Sequence, residues 1–140
     1  MLNTKLYKSV LDLAAKLMHA ANRRDQALFD SYYAKLKVLC IENEPTEKDH
    51  PVQWETLADF TDEPAEAIVI YEKALKKATE INSKDYMSSI AYSMATMQVE
   101  LGQTDEAIKN LQDAVVSSNK IVDQELKAEI NDLLETLLES

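Results

Sequence analysis

The chain has 140 residues, of which 46% are apolar and 29% charged, and its formal net charge is −10. This length suits one domain whose core is large enough to fold without a disulfide or a structural metal. One glycine and three prolines argue against a sandwich or barrel of many strands, because such folds need a turn about every 8–12 residues. Strong acidity disfavours binding to phosphates, so we expect neither nucleic acid nor an anionic membrane as a partner.

The spacing of apolar residues and helix-capping side chains predicts seven helices. Pro64 falls in a first turn, where its missing N–H is harmless, and Ser83 is predicted to be an N-cap. Gly102 ends a helix, and Thr104 is predicted to cap the next one. The segment 43–51 is a loop that shortens the helix after it. In chain order the predicted helices span about 4–21, 24–42, 51–60, 64–81, 84–101, 104–118 and 123–138.

Pairs of alanines seven residues apart recur at a spacing of forty residues. Residues i and i+7 lie on one face of a helix, and alanine there lets a neighbouring helix approach closely. The same shift of forty residues aligns three turn-capable positions, Asn22, Asp62 and Gly102. The sequence therefore predicts three similar helical hairpins. The alanine pairs are Ala27 and Ala34, Ala67 and Ala74, and Ala107 and Ala114.

The second and third of these units resemble tetratricopeptide repeats. The resemblance rests on Glu66-Ala67 with Tyr71-Glu72-Lys73-Ala74-Leu75, and on Met94-Ala95 with Leu101-Gly102-Gln103-Thr104-Asp105-Glu106-Ala107, Leu111 and Ala114. It covers roughly residues 7–118, more weakly in the first unit, and the period is closer to the lengthened repeats of kinesin light chains than to the usual repeat of about 34 residues. It implies an all-α single domain: a right-handed stack of three TPR-like helical hairpins (about 4–42, 51–81 and 84–118) and a C-terminal capping helix (about 121–139).

In the tetratricopeptide family the first helix of each hairpin lines a concave groove that holds the partner. The resemblance therefore implies a partner-binding groove on the first, third and fifth helices. The set lacks the Lys, Asn and Arg arrangement with which chaperone-binding relatives hold a C-terminal carboxylate. The candidate groove residues are Lys16 and His19 from the first unit, Gln53, Thr56, Asp59 and Phe60 from the second, and Tyr92, Ser93 and Thr96 from the third.

Charge is distributed unevenly along the chain. Residues 1–41 carry a net charge of +4, residues 42–66 carry −8 and residues 67–140 carry −6. Helix capping does not explain the loop acids Glu44, Glu47 and Asp49. We expect these three residues to form an acidic edge that attracts a basic partner and speeds association. A loop that is merely solvated is the alternative.

Catalysis and cofactor binding have little support in the sequence. Cys40 lies in the apolar run 38–41, which is typical of a buried, inert thiol, and a single cysteine excludes an intramolecular disulfide and a thiolate zinc site. Nothing places Cys40 beside His50, and one glycine cannot form a phosphate-binding loop. Trp54 aligns with a core position of the other units. We therefore expect no enzyme activity, no catalytic residue, no metal and no cofactor.

These patterns predict a non-catalytic protein–protein interaction module that binds a protein or peptide with a basic surface through the groove and the acidic edge. One alternative is an immunity or antitoxin protein that neutralises a basic toxin domain. Another is a structural subunit or homo-oligomer that stacks end to end. The N-terminal residues lack an apolar signal core, and no segment reaches the length of a membrane span, so the expected location is the cytoplasm.

Overall fold

A computed structural model describes residues 2–139, which form seven α-helices and no strand. Each helix contacts the next one along the chain, so the predicted all-α stack is confirmed. The helix ends lie within two residues of the predicted ends. None of the described helices is long and apolar enough to cross a membrane. The helices are α1 (Thr4–Asn22), α2 (Gln26–Asn43), α3 (Pro51–Asp59), α4 (Pro64–Glu80), α5 (Lys84–Glu100), α6 (Thr104–Ser118) and α7 (Gln124–Leu138).

Side chains before most of the helices accept hydrogen bonds from the free N–H groups of the first turn. Ser83 caps α5 as predicted, with its hydroxyl accepting from the N–H of Tyr86, and Pro64 is the first residue of α4. The prediction that Thr104 caps α6 is wrong, because Thr104 is already helical and Gln103 holds the cap position without a side-chain bond. The backbone N–H of Gln103 donates to the carbonyl of Gln98 in α5, and the turn therefore places Gln103 directly before the first residue of α6.

The tight turns at the ends of α1 and α5 share one backbone conformation. Gly102 has a φ of 74° and Arg24 a φ of 54°, and in both turns the N–H of the next residue donates to the carbonyl five residues before it. This is the Schellman pattern, which favours glycine at the left-handed position. The first turn therefore centres on Arg24 and not on Asn22, which is the last residue of α1. The first hairpin is thus displaced by two residues from the forty-residue alignment.

The alanine pairs show the same displacement. Ala67, Ala74, Ala107 and Ala114 are buried as predicted, whereas Ala27 and Ala34 are exposed. The side chains that α2 turns toward the core instead are Phe29, Tyr33, Leu36 and Cys40, which stand 38 residues before the core positions Ala67, Tyr71, Ala74 and Ala78 of α4.

Aromatic packing explains why α2 adopts this register. The ring of Phe29 meets the ring of Phe60 edge-on at a centroid distance of 6.3 Å. The hydroxyl of Tyr33 shares a hydrogen bond of 2.6 Å with the hydroxyl of Thr61. A buried aromatic side chain removes several times more apolar surface from water than an alanine does. The aromatic face of α2 therefore packs against the core, and the alanine face is exposed to solvent.

The main core lies between the first two hairpins and α5. Trp54 is only 5% exposed within it, which confirms its predicted core position. The last helix packs on the third hairpin, with Ile130 fully buried against Leu111 and Ala114. Because α7 covers this apolar side, it has the position predicted for a capping helix.

Candidate interaction surface

The predicted groove residues of α1 and α5 lie in different surroundings. Lys16 and His19 are exposed on α1, and the Nζ of Lys16 pairs with Asp12 at 3.0 Å. Tyr92 is half-buried in the cluster under α7, where burial and then the neighbouring charge of Glu129 raise its pKa. Contact with α7 thus leaves Tyr92 less accessible than an open groove would.

One predicted groove residue of α3 is inaccessible to a partner. Gln53 is fully buried, and its Nε2 donates to the carboxylate of Asp49 at 2.8 Å. Its expected groove position is therefore wrong. The cause is that α3 is enclosed by α1, α2, α4 and α5, and Gln53 lies on a face of α3 that these helices cover. Phe60 is half-buried against α2, and Thr56 donates to the carbonyl of Val52.

A cluster of oxygen-bearing side chains forms where α3 meets α4 and α5. Ser89 of α5 donates to the carboxylate of Glu55 at 2.7 Å, and Tyr71 of α4 donates to the carboxylate of Asp59 at 2.5 Å. The hydroxyl of Ser93 on α5 lies near that of Tyr71 and acts to lower its pKa. Glu55 and Asp59 are four residues apart, so both carboxylates lie on one face of α3. We call these five residues, Glu55, Asp59, Tyr71, Ser89 and Ser93, the carboxylate cluster.

Burial controls the protonation of the carboxylate cluster. It raises the pKa of Glu55 from an ordinary 4.5 to about 7, against the hydrogen bond from Ser89 and with help from the charge of Asp59. It also raises the pKa of Asp59, against the hydrogen bond from Tyr71, although Asp59 still reaches solvent. Burial and the nearby Asp59 raise the pKa of Tyr71, so its hydroxyl stays protonated and donates. Hydroxyl donors thus only partly replace the water that these carboxylates have lost.

Sequence reasoning found part of this cluster and missed the rest. Asp59 and Ser93 were candidate groove residues, whereas Glu55 was not. The spacing of Glu55 and Asp59 by one helical turn is the signal that could have indicated a shared carboxylate face. Nothing in the sequence indicates that Tyr71 reaches α3, because this contact depends on how α4 crosses it.

The acidic edge differs most from its expected state. Glu44 pairs with Lys73 at 2.8 Å and with Lys77 at 3.0 Å, and Asp49 pairs with Lys77 at 2.5 Å. Hydrogen bonds from these lysines, first from Lys73, lower the pKa of Glu44. The expectation that all three loop acids stand free for a partner is therefore wrong for Glu44 and Asp49, since α4 supplies their cations. Glu47 is exposed as expected.

Trp54 joins these ion pairs to the core. Its Nε1 donates to Asp49 at 2.9 Å, and the Nζ of Lys73 lies 4.2 Å from the centroid of its ring. A cation over an aromatic face is attracted by the ring quadrupole. We call this group, Glu44, Asp49, Trp54, Lys73 and Lys77, the loop latch, because it binds the loop between α2 and α3 to α4.

The thiol of Cys40 and the imidazole of His50 each form a hydrogen bond with a different backbone group. The Sγ of Cys40 donates to the carbonyl of Gln53 at 3.4 Å, and burial raises the pKa of the thiol to about 12. The Nδ1 of His50 accepts from the N–H of Val52 at 3.1 Å, and its ring meets that of Tyr86 edge-on. Cys40 is thus the buried thiol that the sequence predicts.

No protein-family model, curated protein or solved structure matches this chain.

Proposed function

We propose that this chain is a non-catalytic, tetratricopeptide-like interaction module that binds a cationic side chain of a protein or peptide partner at the carboxylate cluster. The observation that carries the proposal is the state of Glu55 and Asp59. Their carboxylates receive hydroxyl donors, but no lysine or arginine within residues 2–139 forms an ion pair with either one. The proposal rests on this contrast with Glu44 and Asp49.

A cation from a partner would supply the missing charge compensation. A carboxylate that has lost water without gaining a cation is destabilised in its charged form, and an opposite charge within about 4–6 Å favours that form. An arginine or lysine beside Glu55 would thus lower the raised pKa of its carboxyl group. Binding would then release a proton near neutral pH, so affinity should increase between about pH 6 and pH 8.

The net charge of the chain supports the same class of partner. A formal charge of −10 attracts a basic protein at long range and accelerates its association. The resemblance to tetratricopeptide repeats supports a stack of hairpins as the scaffold. A basic toxin domain has this cationic chemistry, as do many lysine- and arginine-rich segments. The acidic edge contributes less than expected, because Glu44 and Asp49 are already paired.

Selection from a random peptide library tests the proposal without assuming a partner. We expect the bound peptides to be enriched in lysine and arginine, with weaker binding at about 500 mM salt than at 50 mM. Calorimetry on an enriched peptide should show at least tenfold weaker binding to a variant carrying Glu55→Gln and Asp59→Asn. Glu47→Gln, which removes an exposed acid from the loop, is the matched control and should bind normally.

Two results would contradict the proposal. One is enrichment of peptides without any cationic residue. The other is binding that survives the loss of both carboxylates in the cluster, whether or not it survives Glu47→Gln. Circular dichroism of each variant shows whether its helices remain intact, which separates a lost contact from a lost fold.

A further inference from the structure

The outward face of α2 carries a continuous exposed stripe of small and apolar side chains. Val38 is 51% exposed and Ile41 57% exposed. The spacing alternates between four and three residues, which is the seam period of a coiled coil. We call these residues the α2 stripe: Ala27, Ser31, Ala34, Val38 and Ile41.

The opposite face of α2 is also apolar. It places Leu36 and Cys40, both fully buried, in the core, together with the aromatic rings that set the register of the first hairpin. A helix that is apolar on two sides is typically covered on both. Two alanines at the centre and one end of the stripe would let another helix approach closely, as Ala74 and Ala114 do on the other hairpins.

We propose that α2 of a second copy of this chain packs antiparallel along the α2 stripe, which produces a two-fold symmetric dimer. In such an isologous interface the same patch serves both copies. When Ser31 faces Ala34 of the second copy, Ala27 faces Val38 of the second copy in the next layer. All four of these positions are exposed and available in the single chain.

The charges beside the α2 stripe favour this register over its neighbours. Asp30 and Lys37 are exposed residues that flank the stripe on the same side, seven residues apart. In the proposed register each Asp30 lies beside Lys37 of the other copy, and symmetry makes this contact twice. A slip of seven residues in one direction brings Lys37 beside Lys37, and a slip in the other direction brings Asp30 beside Asp30. The stripe is therefore self-complementary in one register only.

The size of the stripe predicts a weak dimer. The 18 residues of α2 span about 27 Å. A single helix pair of this length with small central side chains buries less than the roughly 1,200 Å² that is typical of stable complexes. We expect dissociation constants on the order of micromolar to hundreds of micromolar, because the area buried must also offset the entropy of association.

Sedimentation velocity over a range of concentrations tests the proposal. The mass should rise from 15.8 kDa at low concentration to twice that value at high concentration. Asp30→Lys alone and Lys37→Asp alone should each weaken the dimer at least tenfold, because each places like charges in contact. The double variant with both changes should recover the wild-type dissociation constant within about threefold, because it restores both pairs in exchanged positions.

Lys120→Asp is the control for net charge, since this exposed lysine lies in the turn before α7. It should leave the dimer unchanged. A monomer at all concentrations up to about 1 mM would overturn the proposal and leave the stripe to another chain or to solvent. Either of two further results would also overturn it. One is a dissociation constant that neither single charge reversal changes, and the other is a double variant that dimerises as weakly as the single variants.

Discussion

Four acids around α3 differ in what surrounds their carboxylates. Glu44 and Asp49 contact the ammonium groups of Lys73 and Lys77, whereas Glu55 and Asp59 contact hydroxyl groups. Cations stabilise the charged form of a carboxylate, and burial without a cation stabilises the neutral form. Acids with similar positions in the sequence therefore have opposite electrostatic roles, one pair in holding the fold and the other in the proposed binding of a partner.

Glu55 should make the chain less stable as the pH rises through neutrality. Its carboxyl group has an ordinary pKa of 4.5 in the unfolded chain and a pKa of about 7 in the folded one. Between these values the folded state holds the proton more tightly, so the free energy of unfolding falls with rising pH and levels off above the folded pKa. Glu55→Gln cannot ionise, so at pH 8 it should be more stable than the wild type by roughly 3 kcal/mol, with little difference at pH 4.

Urea denaturation at several pH values measures this difference. Glu47→Gln is the control, because its exposed carboxylate should not change the shape of the pH profile. Parallel profiles for the wild type and Glu55→Gln would show that Glu55 does not carry the effect.

At the scale of the helix, α2 and α4 use similar sequences differently. Both carry alanines seven residues apart, yet Ala74 is buried in α4 and Ala34 is exposed in α2. The outcome follows from competition between the faces of one helix. In α2 the opposite face offers Phe29, Tyr33 and Leu36, which bury more apolar surface than alanine does. In α4 the alanine face is the core face, and it also admits Tyr71.

Replacing equivalent alanines by leucine should reveal this difference. Ala74→Leu adds three carbon atoms to a fully buried site and should lower the free energy of unfolding by about 1–3 kcal/mol. Ala34→Leu is the matched control, since it makes the same change at the aligned position in solvent, where leucine is nearly as good a helix former. Denaturant midpoints at low micromolar protein concentration measure both effects. Equal midpoints for the two variants would contradict the two-residue displacement of the first hairpin.

At the scale of the whole molecule, the junction between the first and second hairpins is the weakest in the stack. Of all consecutive helices, α2 and α3 contact each other least, because a loop separates them and α3 is short. The loop latch compensates by binding this loop to α4. Burial alone would lower the pKa of Lys77, but its hydrogen bonds to Asp49 and Glu44 outweigh burial and raise it.

Asp49→Ala should weaken this junction. The carboxylate of Asp49 accepts from Gln53 and Trp54 and pairs with Lys77, and the side chain of Asp49 is only 16% exposed. Its removal leaves two buried donors without their acceptor and leaves Lys77 with Glu44 alone, which should lower the free energy of unfolding by about 2–4 kcal/mol. The fluorescence of Trp54, the single tryptophan, reports the transition directly.

Glu47→Ala is the control for this loop, and it should change stability by less than about 0.5 kcal/mol because Glu47 is exposed. Reversing Glu44, Glu47 and Asp49 to lysine should likewise destabilise the fold, and not merely slow association with a partner. An unchanged denaturant midpoint for Asp49→Ala would mean that the latch contributes nothing to the junction.

The sequence by itself determined the helices of this protein. Capping side chains such as Ser83, the prolines at first turns and Gly102 act over a few residues, so the seven helices could be predicted with ends within two residues of those observed. The burial of Cys40 followed from the apolar run around it, and that of Trp54 from its alignment with core positions of the other units. Helix capping and the period of apolar residues are properties of a short stretch of chain. They can therefore be predicted without knowing which other helices pack against that stretch.

Only the tertiary structure decided which face of each helix is buried and which acids are paired. The two-residue displacement of α2 depends on Phe60 and Thr61 meeting Phe29 and Tyr33 across hairpins. Likewise, Glu44 and Asp49 are compensated because Lys73 and Lys77 lie 28 or more residues away in the sequence but adjacent in space. Within residues 2–139 no lysine or arginine forms an ion pair with Glu55. Charge compensation and burial depend on neighbours in space, and the sequence does not give the spatial distance between residues that are far apart along the chain.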